Sequence, residues 1–191
     1  MAAVRMLVAF HTSEGQTAKI AEHIGDILEL EGADVDVVDA SEAPAPDGYD
    51  GVVVGDSVHG GRHSRQLVEY LKQHAASLAV RPTALFQVSL TSVKRDPEHL
   101  AQAEALVRAL EEQTGFEPDH VGMFAGALAY TKYGWLKRRI LQSIAATEGG
   151  ATDTSVDYEY TDWAEVEHFA RRAFQLVSSR RNGAKPRRST P

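Results

Sequence analysis

Apolar runs and amphipathic patterns alternate along the chain. Five apolar runs, several rich in valine and without a polar residue at every second position, are typical of strands buried on both faces. These predicted strands are Val4–Phe10, Val35–Asp39, Gly51–Gly55, Thr83–Ser89 and His120–Ala127. Other segments repeat apolar residues every three to four positions, which is the period of a helix. The predicted helices are Thr17–Leu30, Ser64–Leu78, Pro97–Thr114 and Asp162–Val177, the last with Thr161 as its N-cap.

This order of elements predicts an α/β fold, in which helices cover both faces of a doubly wound parallel sheet. In such sheets ligands bind beyond the carboxyl ends of the strands, where the strand order reverses. We therefore expect the turns after Phe10, Gly55 and Ser89 to share one ligand site. We expect a single domain over residues 1–178, with an insert at about 128–157, followed by a disordered basic tail at 179–191.

The turn after the first strand has the features of an anion site. It precedes a helix, whose free N–H groups and positive dipole end attract anions. The turn contains no lysine of the kind found in nucleotide-binding P-loops, and it lacks the glycine pattern of dinucleotide sites. The sequence therefore favours a terminal monophosphate such as that of FMN, although a turn of this composition is also typical of simple helix capping. The residues predicted to bind the phosphate are Thr12, Ser13, Glu14, Gly15, Gln16 and Thr17.

Two further turns carry candidate ring-binding and catalytic residues. In the second turn, His59 and His63 are a candidate catalytic acid–base pair, with metal ligation and a plain loop role as alternatives. No third metal ligand is indicated, so we expect no metal. The third turn offers hydroxyl and amide groups to the other edge of a flat ring, or is a charged surface loop. The predicted ring contacts are Ser57, Val58, His59, Gly60, Gly61, Ser89, Leu90, Thr91 and Ser92.

Four segments in order resemble the flavodoxin-like proteins, and among them the menaquinone-dependent protoporphyrinogen oxidases. Residues 12–17 (TSEGQT) follow the flavodoxin phosphate pattern [ST]-x-T-G-x-T except at Glu14, where an acid is usual in this branch. The other matching segments are residues 49–57 (YDGVVVGDS), residues 125–130 (AGALAY) with Tyr133 and Trp135, and residues 149–154 (GGATDT) followed by 160–163 (YTDW).

The resemblance implies a flavodoxin-like sheet of order 2-1-3-4-5 with a helical insert after the fifth strand. It also implies an FMN enzyme of heme biosynthesis, which oxidises protoporphyrinogen IX and passes electrons to a quinone. Two alternatives remain open. One is a flavodoxin-type electron carrier without its own substrate, and the other is an NAD(P)H:quinone reductase.

Composition and charge narrow the class of protein. The 191 residues include no cysteine, which excludes disulfides, thiolate nucleophiles and iron–sulfur clusters. The net charge is −7, and the five cations after residue 178 leave the body of the chain near −12, which argues against a nucleic-acid partner. The tail is read as a frayed terminus or as a lipid- or partner-binding arm. Because the chain shows no signal-peptide pattern, we expect a cytoplasmic protein.

The predicted insert is basic and amphipathic. Residues 120–147 contain no acid, and the insert combines cations and aromatics in the manner of helices that lie in lipid headgroups. This predicts a peripheral contact with the inner face of the cell membrane. The alternatives are a helix packed on the domain and cations that pair with substrate propionates. The candidate membrane residues are Tyr130, Trp135, Lys137, Arg138 and Arg139. The oligomeric state is left open by the sequence.

Overall fold

The computed structural model describes residues 3–89, 92, 96–128, 153 and 158–183. Strands and helices alternate over most of this range. The strands are β1 (Val4–His11), β2 (Ala33–Asp39), β3 (Gly51–Ser57), β4 (Thr83–Ser89), β5 (His120–Ala125), β6 (Ala127–Leu128) and β7 (Tyr158–Glu159). The helices are α1 (Gln16–Leu30), α2 (Arg65–Ala79), α3 (Pro97–Thr114) and α4 (Trp163–Arg181), with a short 3-10 turn at Pro46–Gly48.

The first five strands form one parallel sheet of order β2-β1-β3-β4-β5, as expected. The order reverses between β1 and β3, because the chain first adds β2 on one side of β1 and then crosses to the other. His11 lies beside Asp56 across that junction, and Ser57 lies beside Val88 of β4. The carboxyl ends of β1, β3 and β4 therefore meet at one edge of the sheet.

Both faces of the sheet are covered. On one face, the side chains of Met6, Val8 and Phe86 belong to a buried cluster that also contains residues of α1 and α4. On the other face, Leu7 and Val54 belong to a second cluster with residues of α2 and α3. The valine-rich runs lack strict alternation because their residues are buried on both faces.

The junction of β3 and β4 depends on one glycine. A Cβ atom at Gly55 would lie 2.0 Å from the ring of Phe86, which is fully buried. The Phe86 ring occupies the space that a side chain at position 55 would need. Gly55 and Phe86 are register partners in the sheet, two residues before the end of β3.

The structure corrects several predicted boundaries. Strand β1 ends at His11 and not Phe10, β2 begins at Ala33 and not Val35, and β3 ends at Ser57 and not Gly55. The fifth strand was predicted to reach Ala127, but it ends at Ala125, and residues after Gly126 pair with β7 instead. Thr161 is not the N-cap of the last helix; the carboxylate of Asp162 caps it by accepting from the N–H groups of Ala164 and Glu165. That helix also continues to Arg181, so the first residues of the predicted tail are helical.

The rest of the insert and the tail cannot be compared with the prediction. Residues 129–152, 154–157 and 184–191 lie outside the described residues, and with them the candidate membrane residues and the expected helical insert. Among the described residues, no helix is both long and apolar enough to span a bilayer.

Candidate functional site

The turn between β1 and α1 leads into the first turn of a helix, whose backbone amides have no partner within the helix. Gly15 is the N-cap of α1 with φ +94°, a left-handed conformation that favours glycine, and a Cβ at this position would meet nothing within 4 Å. The Thr12 hydroxyl accepts a hydrogen bond from the Gly15 N–H at 2.9 Å, which shapes the turn. The first hydrogen bond of the helix runs from the Lys19 N–H to the Gly15 carbonyl. The three amides before Lys19 therefore have no partner within the helix.

Two of the predicted phosphate residues are buried in the protein. Thr17 is 1% exposed, and Gln16 is buried because its side-chain amide donates to the Thr161 hydroxyl at 2.9 Å. Thr161 in turn donates to the Ala125 carbonyl at the end of β5, also at 2.9 Å. Gln16 is thus available to an anion through its backbone N–H, while its side chain connects α1 to the entry of α4. Ser13 is exposed and Glu14 is half-buried.

The turn after β3 begins and ends close to the sheet. The Val58 N–H donates to the Val88 carbonyl of β4 at 2.9 Å. Beyond it, His59 and Arg62 exchange two backbone hydrogen bonds around Gly60 and Gly61, which both have positive φ. A two-residue turn of this kind requires residues that tolerate positive φ at both central positions. The glycine pair therefore forms the exposed tip of the loop.

The hydroxyl groups at the ends of β3 and β4 have different surroundings. The Ser57 Oγ is buried and has no hydrogen-bond partner among the described residues, which is an unusual state for a native hydroxyl. The Ser89 Oγ is 2.9 Å from the Ser92 Oγ and accepts from the Ser92 N–H, so it shapes the start of the third turn. Leu90 and Thr91 lie outside the described residues.

The two candidate catalytic histidines occupy different environments. His59 is exposed at the tip of the second turn. His63 lies beneath the turn with its side chain 4% exposed, and its Nδ1 is 3.2 Å from the carboxylate of Asp56. Sequence reasoning treated Asp56 as a loop residue, whereas the structure places it within β3 and fully buried. The available signal was the position of an acid directly after a continuous apolar run.

A separate cavity of about 450 Å³ lies beside these turns. It runs along the outer edge of β5 between α3 and α4, and it reaches the third turn through Ser92. Its wall includes His120, whose pKa is lowered by burial and by the nearby side chains of Arg172 and His168. Ser92 is the predicted site residue that lines this cavity, and the other predicted residues that the structure describes lie at the ends of β1, β3 and β4 and in the turns that follow them.

Comparison with known proteins places this arrangement in a family. The Flavodoxin domain family matches residues 7–155, which contain the three turns. The chain belongs to the flavodoxin-domain family. This membership implies a flavin cofactor, and the open amides at Gly15 and the unpartnered Ser57 hydroxyl fit such a group.

Within the family, this flavodoxin-domain protein belongs with the protoporphyrinogen IX dehydrogenases and is an oxidoreductase. It is 35% identical over 177 residues to the protoporphyrinogen IX dehydrogenase [quinone] of Escherichia coli strain K12, covering 91% of this chain and 97% of the relative. It is 34% identical over 170 residues to the protein of the same name from Leishmania major, covering 87% and 73%.

Solved structures show the same fold. A flavodoxin from the domain Archaea aligns with a TM-score of 0.54 at 13% identity, covering 92% of this chain and 98% of that one. A flavodoxin described as Streptococcus pneumonia TIGR4 aligns with a TM-score of 0.54 at 16% identity, covering 93% and 99%. At these identities the likeness establishes the flavodoxin fold of the chain and nothing finer.

Proposed function

We propose that this protein is an FMN-dependent protoporphyrinogen IX dehydrogenase that passes electrons to a quinone. The observation that carries the proposal is the 35% identity with an enzyme of that name over 91% of this chain. The family match over residues 7–155 includes all three turns at the carboxyl edge of the sheet. The geometry of those turns supports FMN as the particular flavin.

The first turn suits a terminal phosphate. The amides of Gln16, Thr17 and Ala18 and the positive end of α1 would hold the phosphate oxygens, and the Thr12 hydroxyl would donate another hydrogen bond. Open space beside Gly15 leaves room for that group. The absence of lysine from residues 12–18 favours a monophosphate over a triphosphate with magnesium.

The second and third turns suit the edge of a flat ring. The Ser57 hydroxyl would gain the hydrogen-bond partner that it lacks, and the tip formed by Gly60 and Gly61 allows close backbone approach. In the third turn, the contact between the hydroxyls of Ser89 and Ser92 fixes the start of the loop. Bound FMN would supply the two-electron redox chemistry between the substrate and the quinone. The protein residues bind and orient the reactants.

His59 is the better candidate for a group that takes a proton from the substrate. Oxidation of a porphyrinogen removes a hydride and a proton in each two-electron step. The His59 imidazole is exposed beside the proposed ring site, whereas the His63 nitrogens face the protein interior. We expect His59→Gln to lower turnover with little change in FMN affinity.

Anaerobic half-reactions test the proposed activity. Protein loaded with FMN is mixed with protoporphyrinogen IX or with NADPH, and flavin bleaching is followed before a menaquinone analogue is added. We expect bleaching by the porphyrinogen and recovery of the oxidised spectrum with the quinone. Bleaching by NADPH alone would favour a quinone reductase, and bleaching by neither would favour an electron carrier. Either result would overturn the proposal.

We also propose a cytoplasmic location with peripheral contact to the inner face of the cell membrane. The support is the acid-free sequence of residues 120–147 and its cations and aromatics, because a lipid-soluble quinone is reached at the membrane surface. Flotation with anionic vesicles tests this contact. We expect the wild type to float and the Lys137/Arg138/Arg139→Glu variant to remain in the dense fraction. Equal flotation of the two proteins would contradict the proposal.

A further inference from the structure

A buried carboxylate lies at the carboxyl end of β3, beneath the second turn. Asp56 is 0% exposed. Its Oδ2 accepts a hydrogen bond from the Ser64 N–H at 2.6 Å. Ser64 is the N-cap of α2, so the carboxylate also lies near the positive end of that helix dipole. A buried carboxylate needs such partners, because an unpaired charge in the protein interior is strongly destabilising.

The same oxygen fixes the ring of His63. The His63 Nδ1 is 3.2 Å from the Asp56 Oδ2. A carboxylate oxygen accepts hydrogen bonds, so this geometry favours a proton on Nδ1. The Nε2 atom is buried and has no hydrogen-bond partner among the described residues. The contact with Asp56 therefore favours the neutral tautomer that carries its proton at Nδ1.

These two contacts close the loop at its base. Asp56 stands just before the loop and Ser64 just after it, so the carboxylate joins its two ends. The Val58 N–H is bonded to β4, and the loop tip is closed by the backbone pair of His59 and Arg62. The position of the tip relative to the sheet is thus set by hydrogen bonds at the base. We call the Asp56–His63 contact the loop clamp.

We propose that Asp56 and His63 are positioning residues, and that the loop clamp holds the second turn in the conformation that binds the flavin ring. This inference rests on the proposed function, since it concerns the affinity for FMN. His63 then acts through its Nδ1 proton and not as a base through Nε2. A substitute for His63 must supply a donor at the δ position in the first role and a functional group at the ε position in the second.

Amide side chains distinguish the two roles. The amide nitrogen of asparagine stands at the δ position and can replace Nδ1 as a donor to Asp56, whereas that of glutamine stands at the ε position. We expect His63→Asn to bind FMN within a factor of about three of the wild type, and His63→Gln to bind about ten- to hundredfold more weakly, as the loss of a hydrogen bond to a charged group implies. If His63→Gln kept its affinity for FMN and His63→Asn lost it, the functional atom of His63 would be Nε2. That result would overturn the loop clamp.

Variants at Asp56 test the other partner. Asp56→Leu removes the acceptor at similar volume, and we expect an FMN dissociation constant about ten- to hundredfold higher. Asp56→Asn keeps an acceptor oxygen and is expected to recover most of the affinity. Asp119→Leu is the matched control, because the Asp119 carboxylate also accepts from a backbone N–H, that of Thr83 at 2.9 Å, but at the start of β4, the opposite edge of the sheet from the second turn. A control variant that weakens FMN binding as much as Asp56→Leu would overturn the proposal.

Nitrogen NMR of the protein without flavin gives an independent readout. We expect the ring proton of His63 at Nδ1 in the wild type and in Asp56→Asn, and its loss from Nδ1 in a folded Asp56→Leu. A wild-type ring unprotonated at Nδ1 would overturn the clamp regardless of flavin. A wild-type protein that binds no FMN overturns the proposed function. Wild-type binding that Asp56→Leu and His63→Gln leave unchanged overturns the clamp alone.

Discussion

Gly15 and Gly115 have the same backbone requirement at opposite ends of the molecule. Both have positive φ, +94° and +70°, and a Cβ at either position would meet nothing within 4 Å. Gly15 begins α1 beside the proposed phosphate site, and Gly115 ends α3 at the other edge of the sheet. An alanine at either position therefore destabilises the protein only through its strained left-handed backbone. Comparing the two alanine variants separates this strain from an effect on ligand binding.

We expect Gly15→Ala and Gly115→Ala each to lower the free energy of unfolding by about 1–2 kcal/mol. Only Gly15→Ala is expected to weaken FMN binding, by roughly tenfold or more, because its methyl group enters the space beside the phosphate amides. Urea unfolding without flavin measures the first effect, and fluorescence titration with FMN measures the second. Equal FMN dissociation constants in the two variants would place the phosphate elsewhere.

His120 links stability to pH. Its ring stacks on Phe169 with 4.9 Å between centroids, and burial, with Arg172 and His168 nearby, lowers its pKa below 6.5. Below pH 6.5 the unfolded chain therefore binds a proton more readily than the native state, so this residue makes stability fall as the pH decreases. We expect His120→Gln to reduce the slope of unfolding free energy against pH between about 6.5 and 5. An unchanged slope in urea unfolding at several pH values would contradict this assignment.

At the level of elements, local sequence decides where strands and helices lie, and distant contacts decide some of their ends. The valine-rich runs predicted the sheet because both of its faces are buried. The predicted end of β5 was wrong because Ala125, Gly126 and Ala127 form a continuous apolar stretch. The chain leaves the sheet within this stretch and pairs with β7, more than thirty residues later. Thr161 and Asp162 are both residues that cap helices, with Asp the better of the two. The hydrogen bonds of Thr161 to Gln16 and Ala125 decide between them.

The cap of α4 gives a prediction at this level. The Asp162 carboxylate accepts from two N–H groups of the first turn, at 3.0 and 3.3 Å. We expect Asp162→Ala to lower the free energy of unfolding by about 1 kcal/mol, and Asp162→Asn to have almost no effect, since asparagine is an equally good cap. Thermal unfolding of the three proteins measures the difference. A stable alanine variant would show that α4 is held by packing alone.

At the level of the whole molecule, the sequence predicted the arrangement of the three turns better than the side-chain contacts around them. A parallel α/β order places the turns after β1, β3 and β4 at one edge, which the structure has. The pairing of Asp56 with His63 could not be predicted, because it depends on the loop folding back under its own tip. The hydrogen bond from the Gln16 side chain to Thr161 could not be predicted either, since the two residues are 145 positions apart in the sequence. The ligand roles of these residues remain predictions.

Ligand binding to the native state alone must raise the stability of the whole chain. At FMN concentrations about a hundredfold above its dissociation constant, linkage adds about 2.7 kcal/mol to the free energy of unfolding. For a chain of 191 residues this corresponds to a rise in Tm of roughly 5–10 °C.

Riboflavin at the same concentration has the ring but no phosphate, so we expect a clearly smaller shift in Tm. Because the amides at the start of α1 are the proposed source of the difference, Gly15→Ala should bring the FMN shift down toward that of riboflavin. Equal shifts with FMN and riboflavin in the wild type would mean that the first turn does not bind the phosphate.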